Sequence, residues 1–433
     1  MEKNSGNGKK KFLFISNVGM IGDLAWQIKK EGNEVKYYIH KNDQKDVCDG
    51  FVDKTDSWKD LVEWADVIVF DDTEFGELAD RMRKEGKIVV GGSSYTDKLE
   101  LSREFGQEEM KNSGMTVLPN WNFDDFEEAI KFIRENPGRY VIKPSGLAQN
   151  EKELLFIGQE DDGKDVLQVL EHYKKNWSKK IKIFQIQKYA SGVEVAIGAF
   201  FNGRDFITPV NINFEHKRMF PGEIGPSTGE MGTSMYFSHP NALFNQTLLK
   251  MKEKLAESGY VGYIDINCIV NSKGIYPLEF TSRFGYPHIS IAIEGILSPW
   301  GEFLHAIAGG QKYDLKVKRG FQIGVVIAVP PFPFNDPEAF RKYSEDAAIL
   351  FKKPNLGGVH LGDVKFVDDD WRLAGNSGYA LIVTGSGSTM DGARKQAYHR
   401  VKNIMIPNMF YRTDIGLRWY YDSDKMQTWG YLY

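Results

Sequence analysis

Cysteine is nearly absent from this chain. Cys48 and Cys268 are the only two in 433 residues, so neither a disulfide framework nor the close spacing of a metal-binding cysteine cluster is available, and a reducing cytoplasm is the expected compartment. No apolar run approaches the length of a membrane helix, and no signal-peptide core follows the lysine-rich opening. Residues 1–11 are expected to form a flexible tail, and no membrane partner is expected. An excess of one charge is missing too. A formal net charge of −4 offers no strong field for nucleic acid, which leaves small molecules as the expected ligands. What is abundant is apolar material, at 42% hydrophobic and 13% aromatic, enough for about two to four packed units.

Apolar runs at 12–15, 35–39, 67–70 and 88–90 alternate with helix-like stretches at 23–31 and 77–84. Strands separated by helices predict parallel pairing through right-handed crossovers, hence a Rossmann-like open α/β sheet over 12–94. One helix is expected over 95–113, then 116–119 leading into an amphipathic helix over 124–135 that Asn136-Pro137-Gly138 stops. Strands near 140–143, 154–157 and 183–187 surround a helix at 166–173, an order unlike that of the first unit. Further strands follow at 193–201, 263–270 and 275–280, with a helix at 289–297. The final segment, with strands at 322–329 and 379–384 and a helix at 390–402, reads as a small C-terminal α/β cap.

Several short motifs could carry chemistry. Gly19 and Gly22 follow the first strand, where glycines let backbone N–H groups approach a phosphate; a ligand-free tight turn explains them equally well. A dinucleotide fingerprint is ruled against by Asn17 in place of a glycine and by His40 where an acid would bind ribose. Lys143 closes a strand before a loop, a position from which an ammonium can reach nucleotide phosphates. Gln187, Lys188 and Tyr189 lie on what reads as an edge strand able to bind adenine through its backbone, with Glu194 beyond it for ribose hydroxyls. His216-Lys217-Arg218 precede the glycine-rich stretch 225–232, and Glu279 and Thr281 share one face of a strand with Arg283 just past them. A carboxylate among apolar residues is costly unless paired or metal-bound, so Glu279 suggests Mg²⁺ against phosphates, the alternative being a Glu279–Arg283 ion pair.

Taken in order, these pieces resemble the phosphoribosylamine-glycine ligases of the ATP-grasp superfamily. That family's Lys-Ala-Asp-Gly-Leu-Ala-Ala is similar to Lys143-Pro144-Ser145-Gly146-Leu147-Ala148-Gln149. Its His-Lys-Arg and Gly-Pro-Asn-Thr-Gly-Gly-Met-Gly are similar to 216–218 and 225–232, its Glu-Phe-Asn-Cys-Arg-Phe-Gly to 279–285, and its terminal Lys-Asp-Ile-Gly-Trp-Arg to 413–418. The resemblance implies an N-terminal substrate-binding domain over 12–94, an ATP-grasp domain over 95–315 with a nucleotide-covering part at 140–190, and a C-terminal domain over 316–433. It implies ATP with Mg²⁺, or Mn²⁺, as cofactors, small-molecule carboxylate and amine substrates, and a cytoplasmic monomer or homodimer. By position, Lys143 and Arg283 would act in catalysis, with Arg103, Lys143, Gln187, Lys188, Tyr189, Glu194, Lys217 and Arg218 on the nucleotide. Glu279, Asp265, Asn267 and Thr281 would face the metal, and Gly19, Gly22, His216, Ser227, Thr228 and Arg283 the substrates.

Departures from the pattern fall mostly on the substrate side. Arg103 stands for a phosphate-binding lysine, Thr281 for a metal-binding asparagine, and Asn150-Glu151-Lys152 for Gly-Lys-Gly. The family's Gly-Asn-Gly-Gly-Arg-Glu-His, Gly-Pro-Glu and Gly-Asp-Pro-Glu are replaced around Asn17-Val18-Gly19, Asp71-Asp72-Thr73-Glu74 and Gly285-Tyr286-Pro287-His288. The expectation is therefore an ADP-forming carboxylate–amine ligase that works through an acyl phosphate on substrates other than phosphoribosylamine and glycine. Two other readings stay open: an ordinary phosphoribosylamine-glycine ligase of purine biosynthesis, and a nucleotide-binding regulatory protein without turnover.

Overall fold

A computed structural model of the chain describes residues 8–145 and 154–432. The phosphate-loop residues 146–153 and the start of the expected tail, 1–7, lie outside the described residues. The first strand, Lys11–Ser16, begins one residue inside that tail, and Lys10 N already donates to Asn33 Oδ1 at 3.2 Å. It pairs in parallel with Glu34–Ile39 on one side and Val67–Phe70 on the other, and Val89–Val90 completes a four-stranded sheet. Helices Gly22–Lys30 and Gly76–Lys84 make the crossovers. Both middle strands are apolar on both faces, as a parallel sheet covered from both sides requires: Phe12 and Phe14 enter one core, Leu13 and Ile15 another.

The single helix expected over 95–113 is two helices, Ser94–Leu101 and Arg103–Asn112. Ser102 breaks them by adopting an extended backbone (φ −110°, ψ 98°) and accepts a hydrogen bond at its Oγ from Phe105 N, capping the second helix. Leu99 O lies so near Gly106 that a Cβ there would meet it at 2.5 Å, so the second helix folds back tightly on the first. Another short strand, Asn120–Phe123, precedes helix Phe126–Glu135. It belongs to a small antiparallel sheet ordered Asn120–Phe123, Phe184–Lys188, Tyr140–Pro144, Phe156–Ile157. Helices Phe126–Glu135 and Lys164–Asn176 pack on this sheet through Ile130, Ile133, Val166 and Leu170.

Eight strands form the central sheet, in the order Gly274–Thr281, Val261–Asn271, Val193–Asn202, Phe206–Glu215, Gly232–Ser238, Phe321–Ala328, Tyr379–Gly387, Val359–Leu361. The C-terminal cap is thus continuous with the middle of the chain, because Gly232–Ser238 pairs with Phe321–Ala328. Side chains alternate across a strand, and here the alternation separates two chemistries. One face sends Val195, Ile197, Val210, Ile212, Phe214, Ile264 and Ile266 into a core. The opposite face carries Glu194, Asn213, Glu215, Asp265, Asn267, Glu279 and Thr281, with Asp265 opposite Thr281 and Asn267 opposite Glu279 in register. No helix among the described residues is long and apolar enough to cross a membrane.

Candidate active site

The polar face of the central sheet looks across a cleft at the small sheet, and charged residues meet there. Lys217 is the hub: its Nζ lies 2.9 Å from Glu194 Oε1, 3.2 Å from Glu215 Oε2 and 3.8 Å from Glu279 Oε1. Burial pulls its pKa down, but these three carboxylates outweigh burial and hold the ammonium well above its ordinary range. Glu194 answers in kind. Burial pushes it up, yet Lys217 and Arg418 keep it below the usual glutamate value. Arg418 also donates from Nη1 to Glu215 O at 2.9 Å and from Nη2 to Glu194 O at 3.1 Å, tying those two strands together.

Arg103 reaches Glu279 Oε2 from the helix side at 3.3 Å. The Glu279–Arg283 ion pair, the alternative to metal binding, does not form: Glu279 takes Arg103 and Lys217, whereas Arg283 Nε lies 3.1 Å from Glu100 Oε1 and 3.7 Å from Asp72 Oδ1. The break at Ser102 explains this, since it puts Glu100 and Arg103 on separate helices that both line a cleft with Glu279, Thr281 and Arg283. Asp71, beside Asp72, accepts from Ser16 Oγ, and burial followed by the Asp72 charge lifts it to about 8.

On the small sheet Lys143 is buried, and burial with the nearby Arg103 charge lowers its pKa to about 7 against the opposing pull of Glu279. Bound phosphates would favour the ammonium, so nucleotide binding should take up a proton where the free cleft has lost one. Nucleotide affinity is expected to fall between about pH 7 and 9, by at most about tenfold per unit, and Lys143→Arg should flatten the profile, because a guanidinium stays charged. Calorimetric titration in buffers of different ionisation enthalpy checks both. The effect on stability runs the other way. The native pKa lies below the unfolded value of about 10.4, so the unfolded chain holds more protons across that window and this group stabilises the empty protein as pH rises through it.

Other expected residues fall differently. The strand carrying Gln187 and Lys188 is internal to its sheet and not an edge. Lys188 N donates to Pro119 O at 2.8 Å and Tyr189 N to Arg139 O at 3.0 Å, so those N–H groups are taken; the unpaired handle is the buried Gln187 Nε2. The basic trio divides. His216 is buried and neutral, its pKa lowered to about 3 by burial and then by Arg418, while Arg218 turns away to Gly225 O at 3.0 Å. Ser227 pairs with Arg218 in a hairpin, and Thr228 donates from Oγ1 to Lys217 O at 2.9 Å. Close packing accounts for Gly22, where a Cβ would lie 2.0 Å from Cys48 Sγ, and for Gly19, which takes φ +92° against Val47.

The residues fit magnesium. Asp265 Oδ1 and Asn267 Oδ1 are buried oxygens without hydrogen-bond partners among the described residues, and Asn267 faces Glu279 in register. No trio of His, Cys, Asp or Glu among the described residues could hold a metal by itself. Three residues at the cleft were not singled out in the sequence, Glu100, Glu215 and Glu230, and Asp72 entered only as part of a departing segment. Glu215 directly precedes His216, and Glu230 stands where the resembling pattern has glycine, so adjacency to those motifs was the signal available.

The sequence model described as phosphoribosylglycinamide synthetase, ATP-grasp (A) domain, matches residues 101–289, and that described as its C domain matches 323–418. A phosphoribosylamine-glycine ligase of Streptococcus pneumoniae is 26% identical over 354 residues, covering 80% of this chain and 82% of the relative. Among solved structures, a phosphoribosylamine-glycine ligase of Thermotoga maritima superposes with a TM-score of 0.70 at 23% identity, covering 94% of this chain and all of its own. The biotin carboxylase domain of Hydrogenobacter thermophilus 2-oxoglutarate carboxylase, solved with magnesium ADP, gives 0.65 at 13% identity over 98% of this chain and 96% of its own. Two sequence models of one family therefore account for most of the chain, and the solved relatives share its architecture end to end. The chain belongs to the phosphoribosylglycinamide synthetase family of ATP-grasp enzymes, ligases that form C–N bonds.

Proposed function

We propose that this enzyme joins a carboxylate to an amine at the expense of ATP, and that its substrates are not phosphoribosylamine and glycine. The observation that carries the reading is the convergence of Lys143, Arg103, Lys217 and Arg283 on the Glu279 side of one cleft, beside a substrate end rebuilt around Asp71, Asp72 and Tyr286. In the reaction a carboxylate oxygen attacks the γ-phosphorus and ADP leaves; the neutral amine nitrogen then attacks the acyl carbon, phosphate departs with the C–O electron pair, and the nitrogen gives up a proton to solvent. Lys143 and Arg103 would hold phosphate oxygens, Glu194 the ribose, and Arg283 the charge spread over the transferring group. Glu279 and Asn267 would hold Mg²⁺, which when bound offsets phosphate charge. A domain boundary near 94 fits this division of labour, and the parts on either side of 315 share one eight-stranded sheet. The names of the curated relatives favour a second reading, phosphoribosylamine-glycine ligation itself.

ADP release by the purified protein with Mg²⁺-ATP separates the two. We expect none with phosphoribosylamine plus glycine and turnover with another acid–amine pair from a matrix of amino acids and amines. Turnover with the purine pair would reject the substrate claim, and silence with every pair would reject ligation by this cleft.

A further inference from the structure

His288 opens the helix His288–Gly295, directly after the turn that carries Arg283 and Tyr286. Its ring stacks on Tyr263, with centres 4.2 Å apart and planes 20° from parallel, and its Nε2 lies 2.6 Å from Asn211 Nδ2. Three side chains behind it close on themselves. Asn211 Nδ2 also donates to Asn213 Oδ1 at 2.9 Å, Asn213 Nδ2 to Tyr263 Oη at 3.3 Å, and Tyr263 Oη to Asn211 Oδ1 at 3.2 Å. The register puts this group on the cleft face. Asn211 stands opposite Gly198, Gly198 opposite Asp265 and Asp265 opposite Thr281, while Asn213, Ala196, Asn267 and Glu279 make the neighbouring row. Gly198 leaves the space, because a Cβ there would collide with Tyr263 Oη and Asn211 Oδ1.

An amide nitrogen can only donate, so Nε2 accepts, and a neutral imidazole then carries its proton on Nδ1. Burial keeps the ring neutral by lowering its pKa to about 3. A Cβ at Gly285 would lie 3.9 Å from Nδ1, so this edge turns toward the segment that follows Arg283. Nδ1 makes no hydrogen bond among the described residues and is not sealed from solvent. His288 thus presents one fixed, uncharged donor. The resembling pattern has glutamate here, an acceptor suited to an amine or a hydroxyl, and the exchange reverses the polarity of the contact. The neighbouring row, about 7 Å along the strands, is the one that would hold magnesium and the γ-phosphate. A carboxylate placed in line with that phosphate comes within reach of the row of Asn211. A phosphate dianion on the substrate would find a single neutral donor in this group, too little to offset its charge.

We propose that the Nδ1–H of His288 binds an oxygen of the substrate carboxylate, so that His288 selects and orients the acid. This rests on the ligase reading above. Two measurements on the full chain test it. Two-bond proton–nitrogen correlation spectra of the isotopically labelled protein, with His288 assigned by its loss in His288→Gln, should show the proton on Nδ1. Thermal unfolding with Mg²⁺ and a non-hydrolysable ATP analogue then uses acetate, glycolate, succinate, the common amino acids and inorganic phosphate as probes. One or more carboxylates should raise the midpoint beyond the nucleotide alone, and inorganic phosphate should not. His288→Asn puts an amide N–H where Nδ1–H was and should keep the increment. His288→Gln matches Nε2 instead and should lose it, while both variants keep the nucleotide's own increment, which shows that the fold survives. A merely structural histidine would give the opposite order, since glutamine is the one that preserves the Asn211 contact. In turnover His288→Gln should raise KM for the acid at least about tenfold and leave KM for ATP unchanged. The proposal is overturned by a proton on Nε2, by no increment from any carboxylate, by a phosphate increment equal to that of the best carboxylate, or by His288→Gln retaining what His288→Asn loses. Carboxylate increments lost in His288→Gln, but with no ADP from any acid–amine pair, would uphold the carboxylate contact and reject ligation.

Discussion

Replacing Arg283 by lysine is expected to lower kcat for ADP formation by about 10³-fold, with the affinity for Mg²⁺-ATP changed by less than about threefold. The guanidinium is set in place by its surroundings: Nε faces Glu100 and Asp72, Nη1 donates to Phe284 O at 3.0 Å, and the plane lies 5.3 Å from the Tyr286 ring centre. Despite burial, Glu100 and Asp72 raise its pKa further, so its charge is permanent. Lysine keeps that charge but loses the planar fork, and with it the ability to stay anchored at Nε while the other nitrogens address a second group. Unchanged kcat in a variant that melts like the parent would remove Arg283 from phosphoryl transfer. A parallel loss of nucleotide affinity would make it a binding residue.

Lys217→Met should have the largest effect on stability. It leaves Glu194, Glu215 and Glu279 facing one another without their shared ammonium, which lies between the fully buried and surface extremes and costs about 2–3 kcal/mol near neutral pH. The pH dependence identifies the cause. In the parent, Glu194 is held below its unfolded pKa, so its contribution is present above the unfolded value of about 4.3 and is lost as pH falls through the native one. Without Lys217 the crowded carboxylates should instead titrate above that value, and protonation relieves their repulsion. The gap in melting temperature between parent and variant should therefore narrow as pH falls from about 7 toward 5. A gap that stays constant would mean the loss comes from packing of the lysine stem.

Much of this architecture was legible because its signals are local. The apolar run 12–15, the alternation through 263–270 and the amphipathic stretch 124–135 each declare an element within a few residues of themselves. Ser102 was misread because one polar residue between helix-forming segments looks like an exposed helical position; only its extended backbone and the Phe105 N–H show the cap. The strand Phe206–Glu215 was passed over because Thr208-Pro209 and two asparagines dilute its apolar pattern, yet it supplies Glu215 and Asn213 to the cleft. Partnerships were harder still. Nothing near Glu279 in sequence indicates Arg103, 176 positions earlier, because pairing across a fold depends on which strands and helices become neighbours. Glu230 stands at a glycine position of the resembling pattern, and only the fold shows that its Oε1 is buried and unpaired among the described residues.

The Arg418 clasp has a consequence for biosynthesis. A ribosome releases the chain from the N-terminus, so the acidic strands that carry Glu194, Glu215 and Glu279 emerge long before the guanidinium that ties the first two together. Phe321–Ala328, which continues the sheet past Gly232–Ser238, also arrives late. One face of the N-terminal parallel sheet also waits, because Phe12 and Phe14 share their core with Trp300, Phe303 and Leu361, and the cleft stays half-built until the last strands and Arg418 dock. Competence to hold a nucleotide thus waits until the chain has emerged as far as Arg418.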